Sequence, residues 1–269
     1  MLGKMKDLIE GYRAIEAQVR KSLPKEPEEE AKGGSRSTSV GRPWSILLCL
    51  TCIPLAGVTQ TIGIDGSKST QTIALDGSKK LHLNNVAVET VKHRGRTALH
   101  VTAVKPGRPD NLVVIRDVEF LNGTIQFDVA SRPEGKRQNG GHAGMAFHVN
   151  ADATKFECIY LRPMNGRADN QLQRNHSTQY VSFPDFPWER LRKFQPGEYE
   201  SYVDLVPDKW TQVKIEVSGT KARLYVNGAE QPALIVNDLK RGEVKGSIAL
   251  RVGPTGDAYF SNLRITKAK

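Results

Sequence analysis

Residues 75 to 269 are predicted to form one all-β domain, an antiparallel two-sheet jelly-roll sandwich, on three observations. The dominant period is two: Ile125, Phe127 and Val129 alternate with Thr124, Gln126 and Asp128, and Val213, Ile215 and Val217 alternate with Gln212, Lys214 and Glu216. Successive side chains of a strand point to opposite faces, so this alternation marks half-buried strands. No convincing helical pattern separates the runs, which excludes the βαβ order of a parallel sheet. Asn227-Gly228, just after Leu224-Tyr225-Val226, supplies the two positive φ angles of a type I′ turn and is the strongest hairpin signal in the chain.

In chain order, residues 1 to 44 come first. Leu2, Met5, Leu8, Ile9, Tyr12, Ile15 and Val19 recur at helical spacing, and Pro24 ends this short amphipathic helix. Glu28-Glu29-Glu30, Gly33-Gly34 and a Ser/Thr run follow, a composition too polar to pack, which reads as a disordered linker. Ser45 to Val58 is uncharged and sits behind Arg36 and Arg42, with the length and flank of a signal-peptide apolar region, so residues 45 to 60 read as a targeting segment. It is shorter than the about 20 apolar residues a membrane-spanning helix requires. Export to the periplasm or beyond is therefore expected, with the membrane touched only through the export signal. Translation starting near Val40 would explain a signal placed so far into the chain. Residues 61 to 74 read as a second linker.

The strand candidates then run Leu81 to Val91, Thr97 to Val104, Asn111 to Phe120, Met145 to Val149, Phe156 to Leu161, Lys221 to Val226, Ala233 to Val236, Gly246 to Val252 and Ala258 to Thr266, beside the two alternating runs above. Residues 162 to 208 break the pattern, with Pro184, Pro187 and Pro196 and no periodicity. A loop that long inside a compact domain is usually functional.

Charge and cysteines narrow the partners. Lys plus Arg outnumber Asp plus Glu by 39 to 29, a formal charge of +10. The basic residues are scattered through strands and loops without a run or a nucleic-acid motif, which points to a solvated basic surface and away from nucleic acid. Cys49 and Cys52 lie in the apolar targeting segment, leaving Cys158 alone in the folded part as a buried small hydrophobe. No dense Asp/Asn ligand loop stands out, so no metal or other cofactor is expected, with calcium left open. A monomer is expected.

Several stretches carry a resemblance. Trp210-Thr-Gln-Val-Lys-Ile-Glu-Val, Ala222-Arg-Leu-Tyr-Val-Asn-Gly and Ala258-Tyr-Phe-Ser-Asn-Leu-Arg-Ile resemble the closing strands of the concanavalin A-like lectin/glucanase superfamily, and more distantly of laminin G-like modules. Together with Leu121-Asn-Gly-Thr-Ile-Gln-Phe-Asp-Val and Gly144-Met-Ala-Phe-His-Val, they look most similar to the bacterial 3-keto-disaccharide hydrolase family, once called domain of unknown function 1080. The resemblance spans about residues 75 to 267 and implies a jelly roll whose concave sheet holds saccharide, with activity on 3-keto-glucosides. It brings no catalytic set with it. The Glu-x-Asp-x-Glu strand of laminarinase-type relatives is absent, which sets aside their paired-carboxylate chemistry.

The residues themselves point to one region. Glu157-Cys-Ile-Tyr-Leu-Arg-Pro-Met-Asn-Gly-Arg-Ala-Asp and Arg174-Asn-His-Ser-Thr-Gln-Tyr180 gather amides, aromatics, arginines and a histidine where a structural loop needs only turn formers. Sugar sites use this mixture, because planar polar groups pair with vicinal hydroxyls and aromatic faces cover the apolar side of a pyranose. Period two puts Tyr160 and Arg162 on one strand face with Phe156 and Cys158, while Glu157 points the other way. His148 is expected on a cleft face beside Gly144 and Ala146, whose small side chains leave room; a hydrogen-bonded sheet histidine is the alternative. Catalytic roles are assigned to His176 as acid or base and to Arg162 and Arg174 as oxygen-stabilising cations. Substrate contacts are assigned to His148, Tyr160, Asn165, Arg167, Asn175, Tyr180 and Trp188, the last as a stacking platform or a pin for the loop. Among the carboxylates Glu157, Asp169, Asp185, Glu189, Glu198, Glu200 and Asp204, no spacing singles out a pair.

Two main readings follow. One is an exported enzyme that hydrolyses or eliminates a glycoside such as a 3-keto-glucoside; the other is a non-catalytic carbohydrate-binding module of lectin or laminin G-like type. In both, the partner is a saccharide.

Overall fold

The computed structural model describes residues 69–76, 81–104, 110–133 and 140–268. The amphipathic helix, the linkers up to residue 68 and the signal-like segment lie outside the described residues. Two antiparallel sheets pack face to face, as the alternating runs predict. The first is built in the order Leu234–Val236 (β13), Lys221–Val226 (β12), Thr211–Ser218 (β11), Gly123–Pro133 (β6), Gly256–Lys267 (β15), Arg96–Ala103 (β4) and Val86–His93 (β3). Thr70–Thr72 (β1), in the stretch read as linker, adds to the far end of β15. The second sheet runs Glu200–Ser201 (β10), Thr178–Phe183 (β9), Phe156–Leu161 (β8), Ala143–Val149 (β7), Gly246–Val252 (β14), Leu112–Phe120 (β5) and Leu81–Asn84 (β2).

The core lies between the sheets. Ile125, Phe127, Val213, Ile215 and Phe260 from the first meet Met145, Phe147, Ile159 and Leu250 from the second, all at most 2 % exposed. The first sheet keeps the polar face its alternation requires: β11 reads buried, exposed, buried, half-buried along Thr211-Gln212-Val213-Lys214. In the second sheet β7 and β8 are buried at every position. One face packs on the first sheet, while residues 184–195 come over the other and bring Leu191 into the same apolar cluster.

Several elements differ from the sequence expectation. The run Leu81 to Val91 is two strands, because Asn85 takes a positive φ of 55° between β2 and β3. Asn227 and Gly228, at φ 53° and 75°, make the expected turn, but β13 pairs with β12 only after seven intervening residues. Two-residue hairpins lie instead at Arg94-Gly95, φ 43° and 79°, where His93 faces Arg96, and at Gly219-Thr220, where Ser218 faces Lys221. The stretch 162–208 holds β9, β10 and the helices Gln171–Asn175 (α1) and Trp188–Phe194 (α2). β9 escapes a period-two reading because both its faces are covered: Thr178 to Ser182 are all buried.

Candidate functional site

A row of directly opposed residues crosses the outer face of the second sheet: Glu200 on β10, Gln179 on β9, Tyr160 on β8, Gly144 on β7 and Arg251 on β14. Gly144 makes the row possible. A Cβ there would lie 2.2 Å from the carbonyl oxygen of Ile159 and 2.7 Å from Cβ of Tyr160. With no side chain in between, the Arg251 guanidinium comes to 4.8 Å from the Tyr160 ring centre. Arg162, two residues beyond Tyr160, donates to the Tyr160 hydroxyl at 2.9 Å and to Gln179 Oε1 at 3.1 Å. Gln179 is held in turn by donating to the carbonyls of Tyr180 and Tyr199.

Glu200 anchors the end of the row. Its carboxylate, 3 % exposed, takes hydrogen bonds from the Arg192 guanidinium, lies 3.7 Å from Arg162 and is 3.3 Å from His176 Nε2. Two cations thus share one buried anion, the condition under which a buried charge is tolerated. His176 is held below the ordinary imidazole value, chiefly by burial; Glu200 pulls it upward, but Arg192 and Arg162 oppose that pull. Its imidazole is neutral at neutral pH. His142 stands on the other side, its ring centre 5.7 Å from that of Tyr160. Burial and the guanidiniums of Arg162 and Arg251 push it down to about 3.

Above this floor opens a cleft of about 630 Å³. His142 and Arg162 form the base, Asn165, Asn170, Leu172, Gln173 and His176 one wall, and Trp188 and Arg192 the other. The first wall is braced locally: the Asn170 side chain accepts from the Gln173 amide N–H at the start of α1, Gln173 donates to Asn165, and Asn165 donates to the His176 carbonyl. Trp188 opens α2 directly behind Pro187, and Arg162 and Arg192 lie 5.6 and 4.6 Å from its ring centre.

Of the residues assigned to the site from sequence, the structure gathers Arg162, His176, Tyr160, Asn165 and Trp188 around this cleft. Five others are placed elsewhere. Arg174 turns to Tyr202, donating to its hydroxyl at 3.1 Å. Arg167 pairs with Asp204, and Asn175 accepts from Gln171 on the exposed side of α1. Tyr180 lies one residue out of phase with Gln179, so it points into the core, where its hydroxyl donates to Glu157 at 2.6 Å. His148 does not share the face of Ala146. A positive φ of 54° and a register shift between β7 and β14 turn it inward to bond the Leu121 carbonyl at 2.8 Å. It is the hydrogen-bonded sheet histidine that stood as the alternative.

Sequence reasoning missed His142, Gln179, Arg192 and Arg251, and did not separate Glu200 from six other carboxylates. His142 sits at the position preceding Ala143 and Gly144, and period two from Gly144 carries a signal for it. For Glu200 and Arg192 the signal is tertiary only. Cys158 is fully buried, and burial pushes its thiol up to about 12. Among the described residues, no set of three or more His, Cys, Asp or Glu side chains converges to hold a metal.

The family match makes this jelly roll a carbohydrate-related domain. The family described as 3-keto-alpha-glucoside-1,2-lyase-like domain matches residues 66–266, and the chain belongs to that family. Similar folds include the carbohydrate binding module CBM66 from Bacillus subtilis, 10% identical with a TM-score of 0.43 over 68% of this chain and 97% of that one. A Bacillus subtilis protein of unknown function with a galectin-like fold is 13% identical, TM-score 0.43, over 68% and 87%. Domain 4 of a GH43 extracellular arabinanase from Geobacillus stearothermophilus, in complex with arabinotriose, is 14% identical, TM-score 0.39, over 74% and 82%. At such identities and scores these likenesses say nothing about what this chain does. A comparison with curated proteins returns no match.

Proposed function

We propose that this domain is an exported lyase acting on 3-keto-glucosides, eliminating the aglycone across C1 and C2 of the keto-sugar. The observation that carries this reading is the buried Glu200 shared by His176, Arg162 and Arg192 on the cleft floor. A ketone at C3 makes the C2 hydrogen acidic, so the reaction needs a neutral base and a cation for the developing enolate oxygen. His176 supplies the base. With its Nε2–H toward Glu200, the lone pair lies on Nδ1, and the carboxylate behind it stabilises the imidazolium that forms. Arg162 and Arg192 supply the cationic surface for the enolate; Arg162 keeps a buried donor, Nε, without a protein acceptor among the described residues. The electron pair of the C2–H bond becomes the C1=C2 double bond, the C1–O bond breaks, and the departing oxygen takes the proton that His176 removed from C2. His142, neutral at working pH, offers an N–H to that oxygen. Water adding to the product would complete a net hydrolysis, so elimination and hydrolysis differ only in the last step.

Incubation of the protein with a 3-keto-α-glucoside in deuterium oxide tests the reading. Elimination releases the aglycone and leaves an ultraviolet-absorbing enone, or a hydrated sugar carrying deuterium at C2. Release of a hydrated sugar that keeps protium at C2 would exclude proton abstraction there, and saturable binding without release would favour the non-catalytic module. His176→Gln is expected to lower kcat about 100-fold or more. Export rests on the apolar run Ser45 to Val58 behind Arg36 and Arg42; cell fractionation of the native host that finds the intact chain in the cytoplasm would overturn it.

A further inference from the structure

The two walls of the cleft are built on the same plan. Leu172, in the first turn of α1, stands four residues before His176, the residue that caps the C-terminus of that helix; on α2, Trp188 stands four residues before Arg192. Within a helix, residues i and i+4 share a face and lie about 6 Å apart along the axis, as Trp188 and Arg192 do on α2. His176 and Arg192 both reach Glu200, so they occupy the lower tier, with side chains 16 % and 31 % exposed. Leu172 and Trp188, 66 % and 37 % exposed, form the tier above and line the same cleft. An apolar pair therefore stands above the polar tier, beside Asn170 and Gln173, which line the same wall with Asn170 Oδ1 and Gln173 Nε2 engaged within it.

We infer that the upper tier selects the aglycone, and that the preferred substrates are 3-keto-glucosides carrying a flat, apolar, aromatic aglycone over 3-keto-disaccharides. This rests on the lyase reading of the cleft. A keto-sugar ring seated at His176 and Arg192 directs its glycosidic oxygen up the cleft, and one helical turn matches the step from a pyranose to the group it carries. A second sugar at that level would present hydroxyls to the Leu172 side chain, which has no hydrogen-bonding group to return. An aromatic ring would cover Leu172 and the exposed part of Trp188, removing apolar surface from water. Trp188 is fixed by the two guanidiniums over its ring and Leu172 by the braced turn that begins at Asn170, so the gap between them is formed before substrate arrives.

The test compares kcat/KM for the 3-keto derivatives of 4-nitrophenyl α-glucoside and of trehalose, in the full chain and in Leu172→Asn. The expected result is about a tenfold preference for the aryl substrate, with the preference closing in the variant, mainly through KM. Equal kcat/KM values, or a preference untouched by Leu172→Asn and Trp188→Ser alike, would overturn the inference. Calorimetric titration with the unoxidised parents, 4-nitrophenyl α-glucoside and trehalose, separates the two proposals. If neither keto-sugar reacts, the lyase reading fails, while tighter binding of the aryl glucoside that is lost in Leu172→Asn still supports aglycone selection, and equal binding refutes it.

Discussion

Glu200 is the residue on which the candidate site turns. A carboxylate at 3 % exposure between two arginines and an imidazole serves structure and chemistry together. Glu200→Gln removes the group that pulls the His176 pKa upward while leaving the arginines that push it down. The base must be deprotonated, so kcat/KM falls on the acid side of the His176 pKa, and in the variant this acid limb should move to lower pH. An acid limb that stays in place would show that Glu200 does not address His176. Unpairing Arg162 should also cost about 3 kcal/mol of stability, read from urea unfolding. The sequence named Glu200 among seven carboxylates without preference, since only the pairing of β10 with Gln179 and Thr178 brings it to the row. Arg162 and Tyr160 were legible, because strand alternation alone puts them on one face. Tyr180 was misplaced for the complementary reason: the strand that carries it was read as loop, and one residue of phase decides between cleft and core.

At the level of elements, the second sheet is where the residue pattern and the structure part. β7 and β8 are buried throughout and carry mostly apolar runs in place of alternation, and a run of that kind gives a strand but not its inner side; β9 is buried too, but reads Thr-Gln-Tyr-Val-Ser-Phe, with polar residues among the buried ones. Gly144 is a direct consequence of the crowding. Gly144→Ala would press a methyl onto the Ile159 carbonyl and the Tyr160 backbone, and should cost at least about 2 kcal/mol in chemical unfolding while opening the contact between Arg251 and Tyr160. Unchanged stability in that variant would mean the β7–β8 pairing is looser than its register implies. The short helices α1 and α2 left no periodic signal, having five and seven residues. They bring Leu172, Trp188 and Arg192 to the cleft, and His176 enters it from the C-terminal cap of α1.

For the molecule as a whole, three histidines, His142, His148 and His176, have pKa values lowered, in each case chiefly by burial. A group with a lowered folded pKa binds its proton more readily in the unfolded chain, so the stability it contributes is present above about pH 6.5 and is lost as the pH falls toward its folded value. For His142 that window reaches down to about 3. Glu157 works in the opposite direction: burial raises its carboxyl, which favours the folded state at acid pH. With three groups against one, the melting temperature should fall steadily from pH 7 to pH 5, and His142→Gln should flatten that slope. A melting temperature constant over this range would contradict the burial of these imidazoles. The sequence by itself determined the all-β sandwich, its antiparallel order and the family, because alternation and turn chemistry are local and repeat in strand after strand. It also located the region of the cleft, through a segment too rich in hydrogen-bonding side chains for its length. Only the tertiary structure decided which of those side chains meet. Glu200, Arg192, His142 and His176 come together from an edge strand, a short helix, the start of β7 and the end of α1, and no local pattern records contacts made between segments so far apart in the chain.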